Sequence, residues 1–238
     1  DRRLPEQRNR ILIDHMSDVL LPYNQYHREN LIRENIHPSK IFCTGNTTFE
    51  AMREFAPQIN NSDILTRLRL ESKGYILVTA HRSENVDNIE YLHKIIEATG
   101  RIAKRFKREV IYPMHPRTKS KLTSFEIPKG VRIMDPLGFY DFNHLLKESF
   151  CVVSDSGTAA EEGLFYKVPN VSLRMATERP ETVESGATII SGMDLNNIVE
   201  SVETAVSLPW SAKYDFAEDH SPSSVVINSI RSQITNFF

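Results

Sequence analysis

Short apolar runs alternate with helical stretches along almost the whole chain. The runs VLLPY (19–23), IFCTG (41–45), YILVTA (75–80), EVIYPM (109–114), VRIMD (131–135), CVVSD (151–155), NVSLR (170–174) and ATII (187–190) read as buried strands. Most are continuously apolar and do not alternate, the pattern of parallel strands covered on both faces. Between them lie helical patterns. The clearest is 88–106, where Ile89, Leu92, Ile95, Ile96, Ile102, Ala103 and Phe106 share one side behind an Asp-Asn start. The last segment opens with Ser-Pro, a cap followed by proline at the first helical position, and predicts a stripe of Val226, Ile230, Ile234 and Phe237.

Strand–helix alternation of this kind implies right-handed crossovers and an α/β, doubly wound, Rossmann-like parallel sheet. The six runs from Tyr75 to Ile190 complete one such sheet, placing a domain at 46–215. Residues 1–45 read as the closing units of a different domain, and 216–238 as a helix returning toward it. The chain begins Asp-Arg-Arg, with no Met and no signal segment. The expectation is a piece of a longer protein.

Composition narrows the function classes. The chain has 238 residues, 40% of them apolar and 25% charged, with a net charge of −2. Near-neutral charge without a basic arm gives no field for nucleic acid. No apolar run nears the ~18 residues of a membrane span. Two cysteines, Cys43 and Cys151, sit in strand-like runs and read as reduced, buried thiols, as in a cytoplasmic protein. No His/Asp/Cys set has metal-ligand spacing.

In open α/β sheets ligands bind outside the carboxyl ends of the strands, so the chemistry is sought there. The run 75–80 leads into HRSENVDN, where His81 and Arg82 can face an anion and Glu84 can orient either of them. The run 109–114 leads into HPRTK, whose His115 and Arg117 are as easily a helix cap. After 131–135 comes PLGFYDF, in which Phe142 is the candidate to face a base and the neighbouring aromatics read as core. The run 151–155 turns through Ser156 and Gly157 into a helix, whose N-terminal N–H groups and dipole favour phosphate. Glu161 and Glu162 follow, suited to accept the two hydroxyls of a ribose. Asp155 reads as a cap and not as an acid. The fifth loop, RMATERPETVESG, carries Arg179, whose alternative is a salt bridge to Glu178 or Glu181. The five loops together describe a cleft for a nucleoside diphosphate.

The ordered motifs PEQRNR (5–10), TGNTTFEAM (44–52), VTAHRSEN (78–85), SDSGTAAEE (154–162) and TERPE (177–181) resemble the non-hydrolysing UDP-N-acetylglucosamine 2-epimerase family. The resemblance implies the C-terminal half of a glycosyltransferase B-type two-domain architecture, with the site in a cleft between the domains. It implies interconversion of UDP-GlcNAc and UDP-ManNAc by elimination and re-addition of UDP, for cell-surface polysaccharide biosynthesis, in a cytoplasmic homodimer without cofactor or metal. Glu6 and His81 match catalytic positions. Ser156, Gly157, Thr158, Glu162 and Arg179 match UDP contacts, Thr158 through its backbone N–H, and Phe142 matches a uridine-site aromatic. HRSENVDN and Leu137 depart from the commonest forms and point to a modified UDP-HexNAc, such as one leading to UDP-N-acetyl-L-fucosamine. A B-type glycosyltransferase and a hydrolysing epimerase are the competing enzyme readings, and a chain that binds UDP without turnover is the non-enzymatic one.

Overall fold

The computed structural model describes residues 5–208 and 221–234. The chain divides into two compact units: the described residues of Asp1–Glu54 with Phe216–Phe238, and Phe55–Asp215. The larger unit is built on six strands: β1 Tyr75–Thr79, β2 Glu109–Pro113, β3 Val131–Met134, β4 Val152–Ser154, β5 Asn170–Ser172 and β6 Thr188–Ile190. Their spatial order is β3-β2-β1-β4-β5-β6, and every neighbouring pair is parallel. The six apolar runs after residue 74 all became strands of this doubly wound sheet.

The sheet explains why those runs do not alternate. Ile76, Val78, Val110 and Tyr112 face one core, packed with Leu92, Ile95 and Ile102 of helix Ile89–Phe106 and with Val202 of helix Leu195–Ser207. Tyr75, Leu77, Ile111 and Val152 face the other, against Leu145 and Leu146 of helix Phe139–Lys147 and Ala159 of helix Gly157–Tyr166. Both faces are therefore dry, and each buried aliphatic side chain contributes about 1.5–3 kcal/mol. The two buried tyrosines keep their hydroxyls satisfied: Tyr75 donates to the Leu145 carbonyl at 2.5 Å and Tyr112 to the Ala80 carbonyl at 3.1 Å.

Helix Ile89–Phe106 starts where the Asp-Asn pair predicted. Asn88 accepts from the N–H groups of Glu90 and Tyr91 at 3.0 and 3.2 Å. It ends at Lys107, which takes a left-handed conformation with φ of 52°. Lys167, at φ 57°, ends helix Gly157–Tyr166 the same way.

In the smaller unit the runs 19–23 and 41–45 do pair in parallel, but only through the single bridge Leu20↔Ile41. Leu20 N–H donates to the Lys40 carbonyl, and Phe42 and Thr44 N–H groups donate to the Leu20 and Pro22 carbonyls at 2.9 Å each. Pro22 has no N–H to return, which stops the ladder from becoming two full strands. Helix Pro222–Ile234 begins at the expected proline, and Glu50 binds its first turn by accepting from the Ser221 and Ser223 hydroxyls and the Ser223 N–H. Its inward face differs from the expected stripe. Pro222 and Ser229 are buried and Val226 is half-buried, while Ile230 is 39% exposed. The Ile234 side chain and Phe237 lie outside the described residues.

Candidate functional site

Order 3-2-1-4-5-6 has one place where adjacent strands leave in opposite directions of winding, between β1 and β4. The chain exits there through His81 and through Ser156, the position at which open α/β sheets bind ligands. Asp155 joins them. Its carboxylate is wholly buried and accepts from the His81 N–H at 3.1 Å, the Arg82 N–H at 2.9 Å and the Asn85 side-chain amide at 3.1 Å. The imidazole Nδ1 of His81 lies 3.8 Å from the same carboxylate. Asn85, itself buried, also donates to the Leu173 carbonyl at the end of β5. Asp155 is thus no cap of its own helix; it fixes the loop that leaves β1. A carboxylate removed from water is tolerated there because three N–H donors bind it.

A cleft of about 420 Å³ opens over the exits of the first three strands. His81, His115, Arg117, Leu137 and Phe142 are among its lining residues. Phe142 also packs on the core beneath, so it presents only part of its ring. The plainer reading of HPRTK holds for two of its groups. The His115 ring accepts from the Arg117 N–H at 3.2 Å, capping helix Pro116–Lys119, and the Arg117 guanidinium pairs with Asp87 at 2.7 Å. Glu84 pairs with Arg82 at 3.2 Å and so orients the guanidinium.

Ser156, Gly157, Thr158, Glu162 and Arg179 do not line that cleft; they gather beyond it, at the exits of β4 and β5. Ser156 is the N-cap of helix Gly157–Tyr166, its hydroxyl accepting from the Ala159 N–H at 3.4 Å. Gly157 has a reason to lack a side chain: a Cβ there would lie 2.5 Å from Nη1 of Arg179. The guanidinium therefore lies directly over the first residue of the helix. It is held by Glu178 at 2.6 Å and Glu161 at 3.1 Å, so the loop salt bridge foreseen for Arg179 forms with Glu178, and Glu161 is added to it. Thr158 is exposed. Glu162 is buried, and that burial, opposed by a bond from Asn143 and reinforced by the Glu161 charge, pushes its carboxyl up to about 7. Glu6 falls in helix Pro5–Met16 of the smaller unit, and its side chain lies outside the described residues.

Three groups were missed from the sequence: the Asp155 carboxylate as a tie between loops, its partner Asn85, and Arg174. The signals for the first two were present as an acid at a strand exit and a small amide inside the opposing loop.

The sequence profile described as UDP-N-acetylglucosamine 2-epimerase matches residues 1–224. The chain belongs to the UDP-N-acetylglucosamine 2-epimerase family. It is 35% identical over 235 residues to the UDP-N-acetylglucosamine 2-epimerase of Methanocaldococcus jannaschii, covering 95% of this chain and 64% of that one. It is 33% identical over 206 residues to the UDP-2,3-diacetamido-2,3-dideoxy-D-glucuronate 2-epimerase of Pseudomonas aeruginosa, covering 86% and 57%. The crystal structure of the Methanocaldococcus jannaschii epimerase in complex with UDP-GlcNAc and UDP superposes with a TM-score of 0.85 at 34% identity, over 97% of this chain and 66% of that chain. The chain thus spans less than two thirds of the length of these epimerases. Its doubly wound sheet is the fold they share.

Proposed function

We propose that this chain is the UDP-binding part of a non-hydrolysing UDP-N-acetylglucosamine 2-epimerase. The observation that carries the reading is the pair of strand exits at the switch point, tied by Asp155, which sets an imidazole on one side and a helix N-terminus on the other. A diphosphate fits between them: the helix offers N–H donors and a favourable dipole, and His81 can donate to the departing oxygen. Glu162 would take the ribose hydroxyls and the partly exposed face of Phe142 the uracil.

In the reaction the C2 proton and the C1–O bond are lost together, giving UDP and a 2-acetamidoglucal. Protonation of C2 from the other face and return of UDP to C1 gives the epimer, so atoms balance without a redox partner. Carboxylates must carry the proton, and Glu6 is the one this chain supplies. By the resemblance, further carboxylates belong to the part of the family fold that this chain does not span. The 238-residue chain is therefore expected to bind UDP weakly and not to epimerise. The whole enzyme is read as a cytoplasmic homodimer; no helix among the described residues is long and apolar enough to cross a membrane.

Leu137 on the cleft wall favours a second substrate, a modified UDP-HexNAc, and the Pseudomonas aeruginosa relative is an epimerase named for such a sugar. Calorimetry with UDP tests the binding claim. Ser156→Trp, which puts an indole over the helix N-terminus, should abolish binding while the chain stays folded, the lost cap costing about 1 kcal/mol of stability, and unchanged affinity refutes the site. Deuterium uptake at C2 of UDP-GlcNAc, measured with an enzyme of the full family length, separates epimerase from transferase.

A further inference from the structure

Three arginines from two different loops converge on one carboxylate. Arg174 Nη2 reaches Glu178 at 2.6 Å, Arg179 Nη1 reaches it at 2.6 Å, and Arg82 Nη2 lies 3.8 Å away. The cluster stands at the start of helix Gly157–Tyr166, where Arg179 overlies Gly157. That is the wrong end of a helix for cations, since its dipole is positive there. Guanidinium groups gathered at such a place need an anion, and Glu178 supplies one from the same loop. Burial pushes the Glu178 carboxyl upward, but the bond from Arg174, a backbone N–H and the charges of Arg174 and Arg179 outweigh it and hold the carboxyl down at about 2. It is therefore an anion throughout the physiological range. Arg174 is the least expected member. Its side chain is 14% exposed, and its second terminal nitrogen, Nη1, is buried with no hydrogen-bond acceptor among the described residues. A guanidinium with one arm used and the other idle in a buried place has donor capacity for a larger anion than a carboxylate.

We propose that Glu178 is an internal competitor for the ligand's diphosphate: it occupies the guanidinium groups of Arg82, Arg174 and Arg179, and a diphosphate displaces it and takes Arg174 as an additional contact. The proposal rests on the reading of this unit as a UDP site, and it adds a residue and a sign of effect that the reading does not contain. A nucleoside diphosphate carries more charge than a carboxylate and more acceptor oxygens, so it can engage all three arginines together. The tethered glutamate offsets part of the cluster's positive charge at other times, and it raises the ligand concentration needed for exchange.

A merely structural Glu178 makes the opposite forecast, because a residue that positions Arg179 weakens binding when it is lost. The experiment is calorimetry of the 238-residue chain with UDP and, separately, with inorganic pyrophosphate in metal-free buffer. Glu178→Gln should bind both anions about three- to tenfold more tightly at low salt, with a difference that shrinks as salt rises. Arg174→Gln should bind both more weakly by a similar factor. Glu178→Ala, checked like the others by its thermal transition, must agree in sign with Glu178→Gln. If the wild-type chain binds UDP and the Glu178 variants bind no more tightly, the competitor idea falls and the UDP site stands. A gain for UDP without a gain for pyrophosphate also overturns it, because the contest would not be over the diphosphate. If no form of the chain binds UDP, both readings fall together.

Discussion

Glu162→Gln should make the protein more stable, and only above a certain pH. The Glu162 carboxyl is buried in helix Gly157–Tyr166, and burial, opposed by the Asn143 bond and reinforced by the charge of Glu161, raises it from 4.5 to about 7. In the unfolded chain it ionises near the lower value, so between the two the folded state holds a proton that the unfolded state has released. Stability from this group is therefore fully present below pH 4.5, falls as pH rises, and levels off above 7. A difference of 2.5 units, taken from 4.5 and about 7, corresponds to about 3 kcal/mol as an order of magnitude. Glutamine has the shape of the protonated acid and never ionises, so it should match the wild type near pH 4.5 and exceed it at pH 8 by up to that amount. Urea denaturation of both proteins at half-unit steps from pH 4.5 to 8.5 reads the difference directly. A gap that does not grow with pH, or a variant less stable at pH 8, refutes the argument from burial. On the proposed reading the same variant loses UDP affinity, since an ionised carboxylate is the better acceptor for two ribose hydroxyls.

Gly157→Ala drives a methyl group into the Arg179 guanidinium, which must swing away; UDP affinity measured by calorimetry should fall at least about tenfold while the melting temperature changes little. In an enzyme of full family length, His81→Ala should lower kcat far more than UDP affinity, because a group that donates to a leaving oxygen acts mainly in the transition state, and equal losses in steady-state kinetics and calorimetry would make it a plain binding residue. Lys107→Gly should stabilise the chain by about 0.5–1 kcal/mol in urea titrations, because Lys107 sits at φ 52° at a helix end, where glycine carries no side-chain strain.

The sheet was legible because a parallel strand with two dry faces has a local signature, a short continuously apolar run such as Tyr75–Ala80 or Glu109–Met114. The runs near residues 20 and 42 carry the same signature, yet a proline in the first limits them to one bridge, a detail of hydrogen bonding that apolar counting does not see. The last helix was placed correctly and faced wrongly. Its inward side is chosen by what it meets, Glu50 and helix Thr47–Glu54, and Ile230 lost to Ser229 in that choice. At the candidate site, the placement of His81, Ser156 and Gly157 at strand exits was legible because the strands themselves were. The tie from Asp155 to the loop at His81 spans 74 residues of sequence, and its bond to Asn85 spans 70. Neither residue advertises the other. The arginines around Glu178 were hidden for a related reason: Arg174 and Arg179 were visible as charges, but only the fold brings Arg82 to the same carboxylate.

The Asp155 carboxylate has one more implication, for how such a protein can change. Between β1 and β4 the polypeptide travels out through two further strands and their helices and back again, a long detour whose every joint could loosen the fit of the two exits. One side chain short-circuits that detour. It measures the gap between the turn at Ser156 and the loop at His81 by its own length, so drift, insertion or repacking in the detour leaves the gap unchanged. Variation can then accumulate in the walls, at positions such as Leu137, without spreading the floor. On the proposed reading, selectivity among sugars becomes a matter of wall decoration, and the span offered to the diphosphate becomes a constant of the scaffold.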